Sequence, residues 1–299
     1  MFTGEIMKYS LFAVFAAVLF AGTTLWAAQP AKAKAQRPAP PKADAQTVYK
    51  STPEGELKLY IYRPADWKES DKRPLMLMYH GGGWRGGSPD IYFEQCRYYA
   101  DQGFVAISVQ YRKADKVLTF DNIRRTVVDA VSAIRYVRKN AAQLGIDPAR
   151  IVAAGSSAGG HIALCVTLLK DINDPADDLS IDRVPNALLL HCPVVHCGPK
   201  PGYAPAYRAM KEQYPQLSPA HNLRPGMPPQ LIVSGDLDHV IPAKYAQTYA
   251  EEVRKTGSVC EVTIYEGAKH GAFYRGSFWK KAQPGIDQFL KAQKMWPEK

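Results

Sequence analysis

The 299-residue chain is sparing with the features that mark several protein classes. It has only five cysteines, and neither these nor the histidines fall at a spacing that implies a metal, so no zinc-stapled fold is expected. Five is an odd number, so at least one thiol is free or paired between chains. Cys192 and Cys197 flank Pro193–His196, close enough to bridge in an exported protein, although one pair at that spacing does not demand a bridge. Cys165 sits in a helix-like apolar run and reads as buried packing. Long hydrophobic stretches are also missing: the apolar run Leu11–Ala21 is too short for a comfortable membrane span. There are no internal repeats and no aromatic-plus-basic repeats, and nothing resembles a nucleic-acid module. The net charge of +10 is partly scattered over Arg135, Arg138, Lys139, Lys280, Lys281 and Lys291, which is the pattern of a solvated face.

Lys8 precedes the apolar run, and small residues and then Gln29-Pro30 follow it. Residues 1–28 therefore read as a secretory signal peptide, with an uncleaved N-terminal anchor as the alternative. Residues 29–48 are rich in Ala, Pro and Lys and read as a disordered linker. Residues 49–299 suit one sizeable catalytic α/β domain. A secreted or periplasmic protein without stable membrane insertion is the expected outcome.

Within that domain, apolar runs predict strands near 57–62, 75–79, 104–110, 150–154, 187–191, 230–234 and 261–265. Helical patterns fall between them at 91–102, 121–144 and after Gly159, with a last helix near 284–294. Such alternation specifies a mostly parallel central sheet with helices on both faces. Residues 193–229 form a long proline-rich connection with one short helical stretch near Tyr207–Gln213.

Three strand ends carry chemistry. Gly155-Ser156-Ser157-Ala158-Gly159 is G-x-S-x-G between a strand and a helix, which makes Ser157 the candidate nucleophile. The run Pro74–Tyr79 empties into His80-Gly81-Gly82-Gly83-Trp84, where successive glycines let backbone N–H groups approach an anionic oxygen. Gln230–Ser234 leads into Gly235-Asp236-Leu237-Asp238, and Glu261–Tyr265 leads into Lys269-His270-Gly271. The ends of parallel strands share one sheet edge, so these residues can converge there. The order Ser, Asp, His is that of the α/β-hydrolases.

With these motifs, together with Gln110-Tyr111-Arg112, the chain resembles the esterase and lipase branch of the α/β-hydrolase superfamily. Within that branch it is similar to the secreted HGGGW-type carboxylesterases related to acetyl xylan and feruloyl esterases and to hormone-sensitive-lipase-like esterases. The resemblance implies Ser157 as nucleophile, His270 as base and Asp238 as its partner. It also implies an oxyanion hole from the N–H groups of Gly82, Gly83 and Ala158. No cofactor or metal is implied. The family's acid usually falls three residues after the strand-end glycine, which favours Asp238 over Asp236, the latter then capping the turn. His239 is the rival base. His80 is expected to order the glycine loop, and Trp84 either lines the substrate cleft or is packed. The family's larger members carry an N-terminal helical cap, for which this chain leaves no room, so the resemblance implies an open site under residues 193–229. The expected substrate is a small-molecule or carbohydrate ester, with acetyl groups on a polysaccharide such as xylan as the specific form. A peptidase or amidase of the same fold, or a noncatalytic binding module, are the alternatives.

Overall fold

The computed structural model describes residues 39–199 and 202–298. The leader reading, and the linker as far as residue 38, lie outside the described residues. Eight strands form one sheet: β1 (Ala45–Thr52), β2 (Gly55–Tyr62), β3 (Arg73–Tyr79), β4 (Val105–Val109), β5 (Ile146–Ser156), β6 (Ala187–His191), β7 (Gln230–Gly235) and β8 (Cys260–Tyr265). Their spatial order is β1-β2-β4-β3-β5-β6-β7-β8. The β1–β2 and β2–β4 pairings are antiparallel, and every other pairing is parallel. This is the α/β-hydrolase fold.

Seven α-helices accompany the sheet: α1 (Phe93–Asp101), α2 (Phe120–Lys139), α3 (Ala141–Leu144), α4 (Ala158–Leu168), α5 (Ala204–Met210), α6 (Ala243–Lys255) and α7 (Ser277–Ala292). They bury two separate cores, as a sheet covered on both faces requires. Helices α2, α4 and α6 pack with Leu75, Leu77 and Ile107 on one side; α1 and α7 pack with Met76, Met78 and Val152 on the other. The alternation of those strand residues between the two cores is the period of two in an extended chain. Every residue of α4 is buried, which its largely apolar sequence permits, the polar side chains of His161 and Thr167 meeting the Leu217 and Ala163 carbonyls. Helix α2 begins with a reciprocal cap in which the Thr119 hydroxyl accepts from the Asn122 N–H and the Asn122 side chain accepts from the Thr119 N–H.

The structure departs from the sequence reading in three places. Strand β1 begins at Ala45, inside the stretch read as linker, because its pairing with β2 supplies the ladder that its mixed composition does not advertise. The helix expected over 121–144 breaks at Asn140, and α3 then stops at Gly145, whose φ of 63° is left-handed. The last helix starts at Ser277, before Pro284, which lies inside it; buried Trp279 and Ala282 anchor the turns ahead of the proline. Cys192 and Cys197, whose spacing left a bridge open, are both free and buried. Cys197 Sγ lies 3.6 Å from the Leu217 carbonyl, whereas the Cys192 thiol faces a different part of the molecule.

Candidate active site

Strand β5 ends at Ser156 and α4 starts at Ala158, so Ser157 alone makes the turn, with φ 56° and ψ −119°. That backbone is strained for a residue with a Cβ. It is held by the Ser157 N–H donating to the His191 carbonyl at 2.9 Å, and by the His161 and Val194 N–H groups donating to the Ser157 carbonyl at 3.0 and 3.3 Å. The flanking glycines are steric necessities. A Cβ on Gly159 would lie 1.9 Å from the Tyr79 carbonyl oxygen, and one on Gly155 would lie 2.3 Å from that of Gly159. No side chain caps α4, so the N–H groups of its first turn, including that of Ala158, remain available as donors.

The structure brings Ser157, His270 and Asp238 together. His270 Nε2 lies 3.1 Å from Ser157 Oγ, and His270 Nδ1 lies 2.7 Å from Asp238 Oδ2. The other Asp238 oxygen accepts from the N–H groups of Val240 and Ile241 at 2.9 and 2.8 Å. Burial pushes the Asp238 carboxyl up, but the His270 contact and these N–H donors outweigh it and hold the group below the usual carboxylate range. An ionised Asp238 fixes the proton on Nδ1, leaving Nε2 free to accept the serine proton. Asp236 is exposed and accepts from the Gly267 N–H at 2.8 Å, so it ties the acid loop to the turn that carries His270. His239 is exposed and stands outside the triad contacts.

The glycine loop is built in layers. Gly82, at φ 122°, has no space for a Cβ, which would meet Gly86 at 2.4 Å; the Gly82 carbonyl accepts from the Gly86 N–H at 2.8 Å. Gly83, at φ 61°, has nothing within 4 Å of its Cβ position. Behind the loop the His80 ring stacks on Tyr111 at 4.2 Å, and its Nδ1 lies 2.9 Å from the Gly81 carbonyl. The next residue, Arg112, grips fully buried Asp129 of α2 through Nε and Nη2 at 2.9 and 2.8 Å, which explains the Gln110-Tyr111-Arg112 motif as a brace for the loop. Trp84 is corrected by the structure: it is wholly buried, with its indole N–H donating to His161 Nδ1 at 3.2 Å, and it does not line the cleft. Its bulk fills the space under the loop, and its exposure could not be read from its position in the motif.

Two neighbours take positions that the sequence reading did not give them. Cys192, just past β6, offers its Sγ within 4.8 Å of ligand-type atoms of both Asp238 and His270. Burial and the Asp238 charge push this thiol up to about 12, so it stays protonated and faces the carboxylate as a weak donor. His191 is fully enclosed against Phe273, and neither of its ring nitrogens has a partner among the described residues. Backbone strain is the common signal. Of five non-glycine residues with positive φ among the described residues, Ser157 and Cys192 lie at this site and Trp84 lies under its glycine loop, and residue type alone announces none of them.

Three buried histidines give the site an acid limit. Burial drives His80, His161 and His191 each down to about 4; carbonyl contacts at Gly81 and Leu217 oppose this only partly for the first two. Each is neutral when folded, while the unfolded chain takes up the proton near pH 6.5. The stability they confer is therefore present above about pH 6.5 and lost as the pH falls toward 4, by up to about 3 kcal/mol for each histidine. Urea midpoints measured from pH 7 to 4 should fall steeply across this window and recover on neutralisation. A flat profile would show that these rings are protonated in the fold.

A nucleophile at a strand-to-helix turn, backed by an imidazole and a buried carboxylate at the carboxyl edge of this sheet, defines the serine hydrolase class. The chain belongs to the alpha/beta hydrolase fold family, whose model matches residues 76–274. Among solved structures it is similar to the apo form of esterase 2 from Thermogutta terrifontis, with 36% identity and a TM-score of 0.79 over 88% of this chain and 98% of that one. It is also 38% identical over 107 residues to carboxylesterase NlhH of Mycobacterium tuberculosis, covering 35% of this chain and 32% of that protein. A probable isoprenylcysteine alpha-carbonyl methylesterase of Arabidopsis thaliana is 25% identical over 75% of this chain and 50% of its own length. The chain thus spans about a third to a half of the curated relatives it matches.

Proposed function

We propose that this protein is an exported serine carboxylesterase that removes short acyl groups, with acetyl esters of a polysaccharide such as xylan as its substrate class. The observation that carries the reaction is the continuous hydrogen-bonded path from Ser157 Oγ through His270 to Asp238. His270 Nε2 takes the serine proton as Oγ attacks the ester carbonyl, and the N–H groups of Gly82, Gly83 and Ala158 receive the oxyanion. Collapse expels the alcohol, protonated by His270; water then repeats the sequence on the acyl-enzyme and releases the acid.

Acyl length follows from the surroundings. The segment after β6 supplies Tyr203 and Pro205 to a cleft that His239 and Val240 also line. Beside the acid loop this cleft of about 590 Å³ runs between Tyr203 and Pro205 on one side and His239 and Val240 on the other, open to solvent. The related Thermogutta esterase 2 has been solved with propionate and with butyrate bound, which supports a pocket for two to four carbons here. Export rests on the leader-like composition of residues 1–28, and the polysaccharide on the resemblance together with export.

The test is turnover of p-nitrophenyl esters from acetate to decanoate, alongside acetate release from acetylated xylan. kcat/KM should peak at two to four carbons, since a tunnel gaining about 0.8 kcal/mol for each buried methylene would instead show a steady climb. A maximum at eight carbons or beyond overturns the short-acyl reading, and no turnover of any ester overturns the esterase.

A further inference from the structure

A second depression, of about 380 Å³, opens beside the glycine loop. Its cationic walls are Arg85, Lys116 and Arg208, its floor is apolar, and no acidic residue lines it. Arg85 is two residues beyond Gly83, which limits their Cα separation to about 7 Å. Its guanidinium donates to the Lys116 carbonyl at 2.9 Å, so one wall of the depression is pinned to the other. Arg208 projects from α5, the helix that follows Tyr203.

Arg73, Arg97, Arg112, Arg125, Arg135, Arg138 and Arg150 all meet carboxylates, whereas none of the three groove cations forms an ion pair among the described residues. The nearest acid in sequence, Asp115, faces Arg125 at 3.5 Å. Tyr203, two residues before the groove-lining Pro205, packs its ring 6.2 Å from that of Trp84, the residue between Gly83 and Arg85. Its phenol is raised by burial while feeling Arg85, Arg208 and Asp238 together. Two guanidinium groups without a carboxylate partner, one of them two residues from Gly83, suit a planar anion.

We infer that this groove is a substrate subsite for a carboxylate or sulfate carried on the alcohol part of the ester. The inference rests on the short-acyl esterase reading, because a two-carbon acyl group leaves no room for an anion and assigns the charge to the leaving alcohol. The preferred substrates are then acyl esters of acidic alcohols, of which acidic sugar units are the polymeric form.

The experiment compares 4-acetoxybenzoate and 4-acetoxybenzenesulfonate with their uncharged counterpart 4-acetoxybenzamide at low and high salt. The anionic esters should be favoured about tenfold in kcat/KM at low salt, mostly through KM, with the preference shrinking as salt screens the groove. A preference for only one of the two anions identifies which the groove accepts. Arg85→Gln with Arg208→Gln should bring the ratio to about one, whereas Lys280→Gln with Lys281→Gln on α7 should not change it. A wild-type ratio near one, a ratio that survives loss of both arginines, or an equal fall in the α7 variant overturns the subsite. Hydrolysis of the benzamide ester in those cases leaves the esterase reading standing; its absence removes the esterase reading instead.

Discussion

Replacing Ser157 with alanine is expected to lower ester turnover by on the order of 10⁴-fold or more, while circular dichroism and the melting profile stay close to those of the parent. The size follows from the way the triad works as a unit. Without the hydroxyl, His270 has no proton to accept, and what survives is water attack assisted by the glycine loop. The fold should tolerate the change because alanine keeps the Cβ already accommodated at φ 56°, and the backbone contacts of residue 157 with His191, His161 and Val194 do not use the side chain. Ser156→Ala is the matched control, since the His270 contact is made with residue 157. A dead Ser156 variant beside an active Ser157 variant would place the nucleophile one residue earlier.

Asp238→Asn should cost about as much, near 10⁴-fold in kcat, by another route. The amide can present a donor to Nδ1, which moves the ring proton to Nε2 and leaves no lone pair for the serine. Asp236→Asn should keep most activity, because the exposed carboxylate contacts the Gly267 N–H and not the imidazole. Steady-state kinetics on p-nitrophenyl acetate separate the two. The reverse pattern would move the acid to Asp236, and two active variants would mean that neither carboxylate serves His270.

How much of this was legible in the chain depended on whether a residue's role was fixed locally. The G-x-S-x-G turn was readable because Gly155 and Gly159 stand where any side chain would collide with backbone. Strands β3 and β7 were readable because both faces are covered and their sequences are continuously apolar. Strand β1 was not, since half-exposed Ala45–Lys50 has neither a clean alternation nor an apolar run, and its partner supplies the order. Trp84 follows the glycines as a cleft residue would, yet whether it faces the cleft or His161 is decided by a residue far along the chain. The place of Cys192 beside the triad was hidden for the same reason. Its meaning comes from Asp238, which reaches it only when β6 and β7 lie side by side.

Strand β8 forms one edge of the sheet, pairs only with β7 and is partly exposed along its length. Immediately beyond it lies the turn that carries His270. Edge segments of this kind open more readily than the strands they border, in excursions that leave the rest of the molecule intact. His270 is thus mounted on one of the less secure margins of the sheet, while Ser157 and the glycine loop follow its central strands. Loss of the His270 contact and loss of the two cores are thus separable events in this fold.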